Sequence, residues 1–483
     1  MLIQHSVFYF FSRALPGVVN LIALAVYTHL LAPDEYGRYA LVIYGVGLVN
    51  TLLYWWLRLG LIRFAPRYVE NQTIFLATLL RGFVFACGLS FFIAVVSLIA
   101  VSDIQLRTFI VFSTLLLWTS AWFELNLELI RSRFSPIYFG ALSLARAVLA
   151  LLVGGLLAWL GFSVWGLLIG SFVSTLLPGI WESLKSWRNV DIRNINYGLL
   201  RELFNYGLPL VGVFGMEYVV SSSDRFMLGW MIDAAATGTY SAAYDLTNQS
   251  LTLAMSIVYL AGYPLIVKTL ETEGEQAVRL LLSKYLGIFL AIALPATIIV
   301  AVLAQGISGT FLGNRFHEDA VAVMPWVAVG TLFAALKAYY FDIAFQLSRR
   351  TIRQLLVISF PAVLNVLLNL WWIPRMGIVG AAYATFAAYL CSLGLSWQLG
   401  KREFVMPAFN LDVAKIFLAA GMMIALAMIF MGGYEQSGIL NWGLMAIILM
   451  IIYCVMAYAL NICEVRKWLA ARTRRIFKSD ANL

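Results

Sequence analysis

Arg146 stands in the middle of an apolar run, with apolar neighbours on both sides. An ionisable group so placed is costly in a membrane and tends to face the interior of a helix bundle. Its planar guanidinium suits bidentate hydrogen bonding to an oxyanion in a polar cavity. The competing use is a structural pair with an acidic residue on a neighbouring helix. Lys337 is a second cation within an apolar run, and Asp342 follows five positions later, an awkward helical spacing for a direct pair. Arg13 and Arg81 lie nearer the ends of their runs, where a long side chain either snorkels to the headgroups or meets an incoming anion. Arg58, Glu124 and Glu128 carry the same ambiguity between the membrane interface and a polar interior.

Glu217 and Asp224 are seven positions apart and share a helix face. Glu217 is the candidate for proton coupling. Asp224, Arg225, Asp245 and Asp342 are candidates for coupling or gating, with ligand contact the equal alternative for Asp224 and Arg225 and Asp245 a candidate partner for Arg225. Asn365 and Asn369, four apart, present two amides to one side, for a polar ligand in a cavity or for neighbouring helices. The set excludes much. There is no Ser-His-Asp arrangement and no Gly-rich phosphate loop, and the three histidines, His5, His29 and His317, are widely scattered. Cys87, Cys391, Cys454 and Cys463 have no paired spacing and read as small hydrophobes. Neither an enzyme nor a bound metal or cofactor is expected.

The elements that must position these groups are apolar helices. Hydrophobic residues make up 62% of the 483 positions and charged residues 12%, and the mean hydropathy is +0.87. Ala86 to Val101, Leu286 to Ala304 and Gly438 to Leu460 contain no Asp, Glu, Lys or Arg. A helical crossing needs ~20 apolar residues. Fourteen such segments are expected, centred near residues 18, 49, 88, 117, 148, 173, 217, 252, 292, 334, 362, 388, 422 and 449. The fold class is therefore an all-α polytopic membrane protein. Residues 14–31 could pass for a signal peptide, but Pro33-Asp34-Glu35 follows with no small-residue cleavage site. They are read as the first crossing. Trp55, Trp56, Trp371 and Trp372 fall near span ends as interfacial aromatics.

The net charge of +9 is distributed by side. With a cytoplasmic N-terminus, the inner loops hold Arg63, Arg67, Arg131, Arg133, Lys185, Arg188, Arg193, Arg201, Lys268, Arg279, Arg349, Arg350, Arg353, Lys401 and Arg402. The outer loops hold Arg38, Arg107, Arg315 and Arg375. That asymmetry fits the positive-inside rule, with both termini cytoplasmic. The basic tail from Arg466 to Lys478, with Trp468 and Phe477, suits anionic headgroups, and no nucleic-acid partner is expected.

Two halves of the chain resemble each other. Gly37-Arg38-Tyr39-Ala40 parallels Gly238-Thr239-Tyr240-Ser241, each between an outgoing and a returning helix. Leu15-Pro16 parallels Leu208-Pro209, and the Gly161 to Gly166 stretch before span six parallels Gly377 to Gly380 before span twelve. The expected organisation is one six-helix bundle over 1–190 and another over 191–403 around a central cavity. Two further spans over 404–463 and a basic tail over 464–483 follow. Repeated bundles are a frequent transporter plan, because one half can rock against the other.

Several stretches resemble bacterial polysaccharide flippases. Leu203 to Leu210 (Leu-Phe-Asn-Tyr-Gly-Leu-Pro-Leu), Ser221 to Gly229 and Gly238 to Tyr244 are similar to that family's seventh-helix region, including its Asp-Arg pair at Asp224 and Arg225. Ile373 to Ala382 resembles the start of its twelfth helix, and Tyr263-Pro264 and Leu31 to Tyr39 fit the same pattern. The resemblance implies the multidrug/oligosaccharidyl-lipid/polysaccharide exporter superfamily, and within it the O-antigen and exopolysaccharide flippases of the bacterial inner membrane. It further implies an undecaprenyl-pyrophosphate-linked oligosaccharide as substrate. Membrane lipids, a polymerase and glycosyltransferases are candidate partners.

Physical chemistry says why such a task needs a protein. Burying one unbonded hydroxyl costs about 2–7 kcal/mol, so a repeat unit cannot cross unaided. Export of negative charge from an inside-negative cell is assisted by ~2.3 kcal/mol per charge per 100 mV. A lipid-linked peptidoglycan precursor flippase and a proton- or sodium-coupled small-molecule exporter remain the alternatives. A membrane glycosyltransferase or polymerase is the remote one, because the longest outward loop, near Gly306 to Asp319, is too small to build a catalytic site.

Overall fold

A computed structural model describes residues 2–188, 190–191, 193–348, 353–407, 410–431 and 439–467. Among these the secondary structure is helical, with no strand. The helices are α1 (Leu2–Leu30), α2 (Pro33–Phe64), α3 (Gln72–Ala100), α4 (Ile104–Ser132), α5 (Pro136–Leu157), α6 (Ser163–Ser186) and α7 (Tyr197–Met231). They continue with α8 (Ala234–Glu273), α9 (Glu275–Val302), α10 (Ala304–Phe311), α11 (His317–Leu336) and α12 (Ile343–Leu347). Last come α13 (Arg353–Gly400), α14 (Leu411–Met431) and α15 (Ile439–Ala459).

Eleven helical runs among the described residues are long and apolar enough to cross a membrane. Two of these, Pro136–Ser186 and the run within α13, each turn at a kink and so hold two crossings. The shorter apolar stretch Ala14–Leu30 lies in α1, where the sequence leads one to expect the first crossing. Every segment expected from hydropathy is therefore a helix. Local sequence also starts several of them. Pro33 opens α2, where it needs no N–H partner, and the Glu35 carboxylate accepts the Ala32 N–H at 2.9 Å. Asp103 caps α4 by accepting the Gln105 N–H at 2.7 Å, and Asn196 caps α7 by accepting the Leu199 N–H at 3.0 Å.

The kinks need backbone that glycine supplies most easily. Gly377, within α13, has φ 60° and ψ −137°. The sequence paired it with Gly161, but Ser163 is the residue of matching backbone, at φ 49° and ψ −132°. Gly161 itself takes φ 92°. After each kink a glycine lets the returning helix close on the outgoing one. A Cβ on Gly166 would lie 2.6 Å from the Ala158 nitrogen, and one on Gly380 would lie 2.5 Å from the Trp372 oxygen. Ser163 holds a conformation costly to an L-residue, and its hydroxyl donates to the same Glu35 that caps α2.

The chain divides into two compact units. The first comprises Met1–Ala242, Gly313–Phe316 and Ile358–Ala388. Its core includes Tyr54, Leu57, Leu61, Phe75, Leu79 and Leu203. Within it the two Gly-x-Tyr segments touch reciprocally. A Cβ on Gly37 would overlap the Ala234 carbonyl oxygen, and a Cβ on Gly238 would overlap the Pro33 carbonyl oxygen. Each glycine thus admits the first turn of the other segment's helix, which is the physical reason the motif has no side chain there.

The second unit comprises Ala243–Leu312, His317–Val357 and Tyr389–Leu483. Met255, Leu282, Phe289, Ile416, Met423 and Leu449 are in its core. Past α15, Arg466 donates from Nε to the Tyr458 carbonyl at 2.8 Å and from Nη2 to the Ala459 carbonyl at 2.6 Å, closing the helix end. Lys467 donates to Glu464 at 3.0 Å and holds its carboxyl below the usual carboxylate range. Trp468, Phe477 and the rest of the basic tail, with Arg349 and Arg350, lie outside the described residues.

Candidate functional site

The first unit contains a buried charged network built from α7, α8, α13 and α2. Asp224 and Arg225 are both fully buried, and Arg225 Nη1 lies 3.2 Å from Asp224 Oδ1. The same carboxylate oxygen accepts the Arg225 backbone N–H at 3.0 Å. The second oxygen accepts the Thr385 hydroxyl at 3.1 Å and the Tyr240 hydroxyl. Arg225 Nη1 also donates to the Ser221 carbonyl at 2.6 Å, and its guanidinium lies 4.0 Å from the Tyr44 ring centroid. A buried ion pair holds only when the remaining lone pairs and protons are met, and here several elements supply the partners.

The network continues through amides. Ser223 donates to Asn365 Oδ1 at 2.8 Å, Asn369 donates to the same oxygen at 3.1 Å, and Asn365 Nδ2 lies 3.4 Å from the Thr385 hydroxyl. Asn365 and Asn369, considered above for lining a cavity, are fully buried and join helices in this network. Asp224 already has a fixed cation in Arg225. Among the described residues no three His, Cys, Asp or Glu side chains are grouped to hold a metal.

A second ion pair of the first unit joins α2 to α4. Arg58 pairs with Glu124, which also accepts from Asn50 Nδ2 at 3.0 Å, and the guanidinium sits 3.9 Å from the Trp55 ring centroid. Snorkelling is therefore not what Arg58 does, since it is 8% exposed.

In the second unit, Lys337 Nζ donates to Asp342 Oδ2 at 2.7 Å, and Ser396 donates to Asp342 Oδ1 at 2.6 Å. The awkward five-residue spacing is resolved by the backbone. Residues Lys337–Phe341 form a π turn, and the Asp342 N–H reaches the Lys337 carbonyl at 2.8 Å. A wider turn brings positions i and i+5 onto one face, where an α-helix would separate them.

The other candidates are spread over several helices. Arg146, half-buried on α5, places its guanidinium 5.4 Å from the Phe123 ring centroid, with no ion pair among the described residues. Arg81 is exposed on α3, Glu217 is exposed on α7, and Asp245 is half-buried on α8. Arg13 lies on α1, and its side chain is outside the described residues. Tyr44, Tyr240, Thr385, Ser396 and Asn50 were not singled out from the sequence. Tyr240 carried a signal nonetheless, as the tyrosine of the repeated Gly-x-Tyr segment. A tyrosine, two hydroxyls and an amide in apolar runs are too common to be chosen by type.

Helices of this number around buried, paired charges define a multi-pass membrane protein, and the fold matches that of known transporters. The lipid II flippase MurJ in an inward closed conformation aligns with a TM-score of 0.73 over 95% of this chain and 99% of its own, at 14% identity. A multidrug resistance MATE family transporter of the MOP superfamily, inward-facing, aligns with a TM-score of 0.57 over 82% of this chain and 97% of its own, at 12% identity. A MOP superfamily transporter from Pyrococcus furiosus aligns at 0.53 over 83% and 94%, with 14% identity. No curated protein matches the sequence. A family model described as polysaccharide biosynthesis protein matches residues 26–322. The chain belongs to that polysaccharide biosynthesis family.

Proposed function

We propose that this protein flips undecaprenyl-pyrophosphate-linked oligosaccharide repeat units from the cytoplasmic to the periplasmic face of the bacterial inner membrane. The product then feeds O-antigen or exopolysaccharide assembly. The observation that carries this reading is the coincidence of a polysaccharide-biosynthesis match over residues 26–322 with the lipid II flippase fold over 95% of the chain. The work is transport by alternating access, with no bond made or broken, and both termini are cytoplasmic.

The polar headgroup needs a hydrated path, because each unbonded hydroxyl in hydrocarbon costs about 2–7 kcal/mol. Arg146 is the cation best suited to the pyrophosphate, since no carboxylate among the described residues neutralises it. Lys337 is held by Asp342 and contributes less. Arg81 and Arg13 act earlier, at the face where the substrate loads. The Asp224–Arg225 network holds α7 to α8 and α13 during the cycle, and Glu217 is the coupling candidate.

A second reading, flipping of a lipid-linked peptidoglycan precursor, is favoured by the lipid II flippase among the structural relatives. Mass spectrometry of isoprenoid-linked saccharides separates the two, comparing cells lacking the protein with cells carrying it again. Accumulation of a completed pyrophosphate-linked repeat unit, with loss of surface polymer, supports the first reading. Accumulation of the peptidoglycan precursor supports the second. Normal levels of both would overturn the two together and leave small-molecule export.

A further inference from the structure

Helices α2, α3 and α4 line an open, elongated cavity of about 590 Å³ within the first unit. Its walls are apolar, with Val46, Val49, Ile93, Phe109, Ile110 and Leu117 among the lining residues. Two of the wall hydroxyls are turned into their own helices. Ser97 bonds the Ile93 carbonyl at 2.9 Å, and Thr114 bonds the Ile110 carbonyl at 2.8 Å. Ser90, at the floor, contacts the Tyr54 hydroxyl at 3.0 Å and accepts from Trp118 Nε1 at 2.9 Å.

Charge is confined to one end. Arg38, Asp103 and Gln105 line the cavity where α2 begins, α3 ends and α4 begins. Arg38 meets Asp34 at 3.7 Å, with both side chains about half exposed, a kind of pair that contributes little. Asp103 is exposed. Among the lining residues the rim therefore offers one cation and one anion over an apolar groove.

Depth selects among occupants. From Arg38 to Val49 the lining of α2 extends roughly 16 Å at ~1.5 Å per residue. Half of a ~30 Å hydrocarbon core is about the same length. The apolar lining is thus about one leaflet long.

We propose that this cavity binds one acyl chain of a glycerophospholipid with a zwitterionic, amine-bearing headgroup. The phosphate meets Arg38 and the ammonium meets Asp103. The site is a structural lipid site apart from substrate transport, and it stands whether or not the flippase reading does.

Native mass spectrometry of the full chain in detergent tests it, with dioleoyl phosphatidylethanolamine, dioleoyl phosphatidylglycerol and a polyprenyl phosphate as competing probes. The intact protein is expected to retain phosphatidylethanolamine in preference to phosphatidylglycerol. Asp103→Asn keeps the helix cap, because asparagine caps as well as aspartate. It is expected to keep lipid binding while losing about two- to five-fold of that preference, the worth of one solvent-exposed charge contact. Val46→Trp fills the shaft and is expected to remove the retained lipid, with thermal melting confirming that the variant folds. An unchanged preference in Asp103→Asn overturns the proposal, as does full retention by a folded Val46→Trp. Displacement of phosphatidylethanolamine by equimolar polyprenyl phosphate would also overturn it, assigning the cavity to the carrier lipid. Should Val46→Trp not fold, the Asp103→Asn result decides alone.

Discussion

The two units each bury an ion pair inside membrane-spanning helices, and they do so by different means. Asp224 and Arg225 are adjacent in sequence, and most of their remaining bonds come from α8, α13 and α2. Lys337 and Asp342 meet through a local device, the π turn over Lys337–Phe341, with Ser396 as the added partner. The first pair is neutralised by its neighbour in sequence but depends on tertiary packing for its remaining hydrogen bonds, whereas the second is largely assembled within one stretch of chain. A charge buried by packing is the more exposed to disruption when a partner is removed.

The largest expected effect follows from that difference. Asp224→Ala leaves the Arg225 guanidinium buried without its carboxylate and is expected to cost about 3–5 kcal/mol. The measurement is the loss of thermal and denaturant stability in one detergent. Replacing both members, as Asp224→Asn with Arg225→Met, is expected to recover part of the loss, because no net charge then remains buried. A double variant no better than the single one would show that the network acts through geometry instead of charge.

Lys337→Met is expected to cost roughly 3 kcal/mol. Ser396 still bonds Asp342, whose side chain is 8% exposed where that of Asp224 has no exposure. If Lys337→Met destabilises more than Asp224→Ala, the contrast between packed and locally built pairs is wrong.

Backbone changes sharpen the same contrast between local and tertiary causes. Gly377→Ala places a side chain at φ 60° and is expected to cost on the order of 1–3 kcal/mol. Ser163→Gly relaxes the equivalent kink while removing the bond to Glu35, so its melting temperature should stay close to that of the parent. A large loss in Ser163→Gly would assign the stability there to the Glu35 bond. The smallest effects belong to the neutral partners. Thr385→Val and Ser396→Ala are each expected to cost about 1 kcal/mol, the net worth of one hydrogen bond, with Thr385→Val the larger if the packed pair is the more dependent.

Much of the fold was legible because hydropathy is summed locally. Leu286 to Ala304 announces a crossing whatever surrounds it, and the kinked runs were divided correctly at Gly161 and Gly377. The details of the kink were less legible. Glycine marks a permitted backbone, but Ser163 shows that a serine with a carboxylate partner can occupy the same conformation. The Gly-x-Tyr repeat was visible as two similar segments. That the two glycines pack reciprocally, each against the other segment's first turn, is a statement about distance that no single segment contains.

Candidate residues followed the same division. The residue types picked out Asp224, Arg225, Lys337, Asp342, Asn365 and Asn369, and all six are buried in polar networks. Spacing judged Lys337 and Asp342 poorly matched, because helical registers were counted at 3.6 residues per turn and the π turn changes that count. By itself, then, the sequence determined that this chain spans a membrane many times, where it turns, and which few polar groups it carries into the hydrocarbon. Tertiary structure decided which groups from distant segments meet, as Arg58 with Glu124 and Asp224 with Tyr240 and Thr385. Apolarity accumulates residue by residue along the chain, but a partner is chosen by the rotation and approach of helices far apart in sequence.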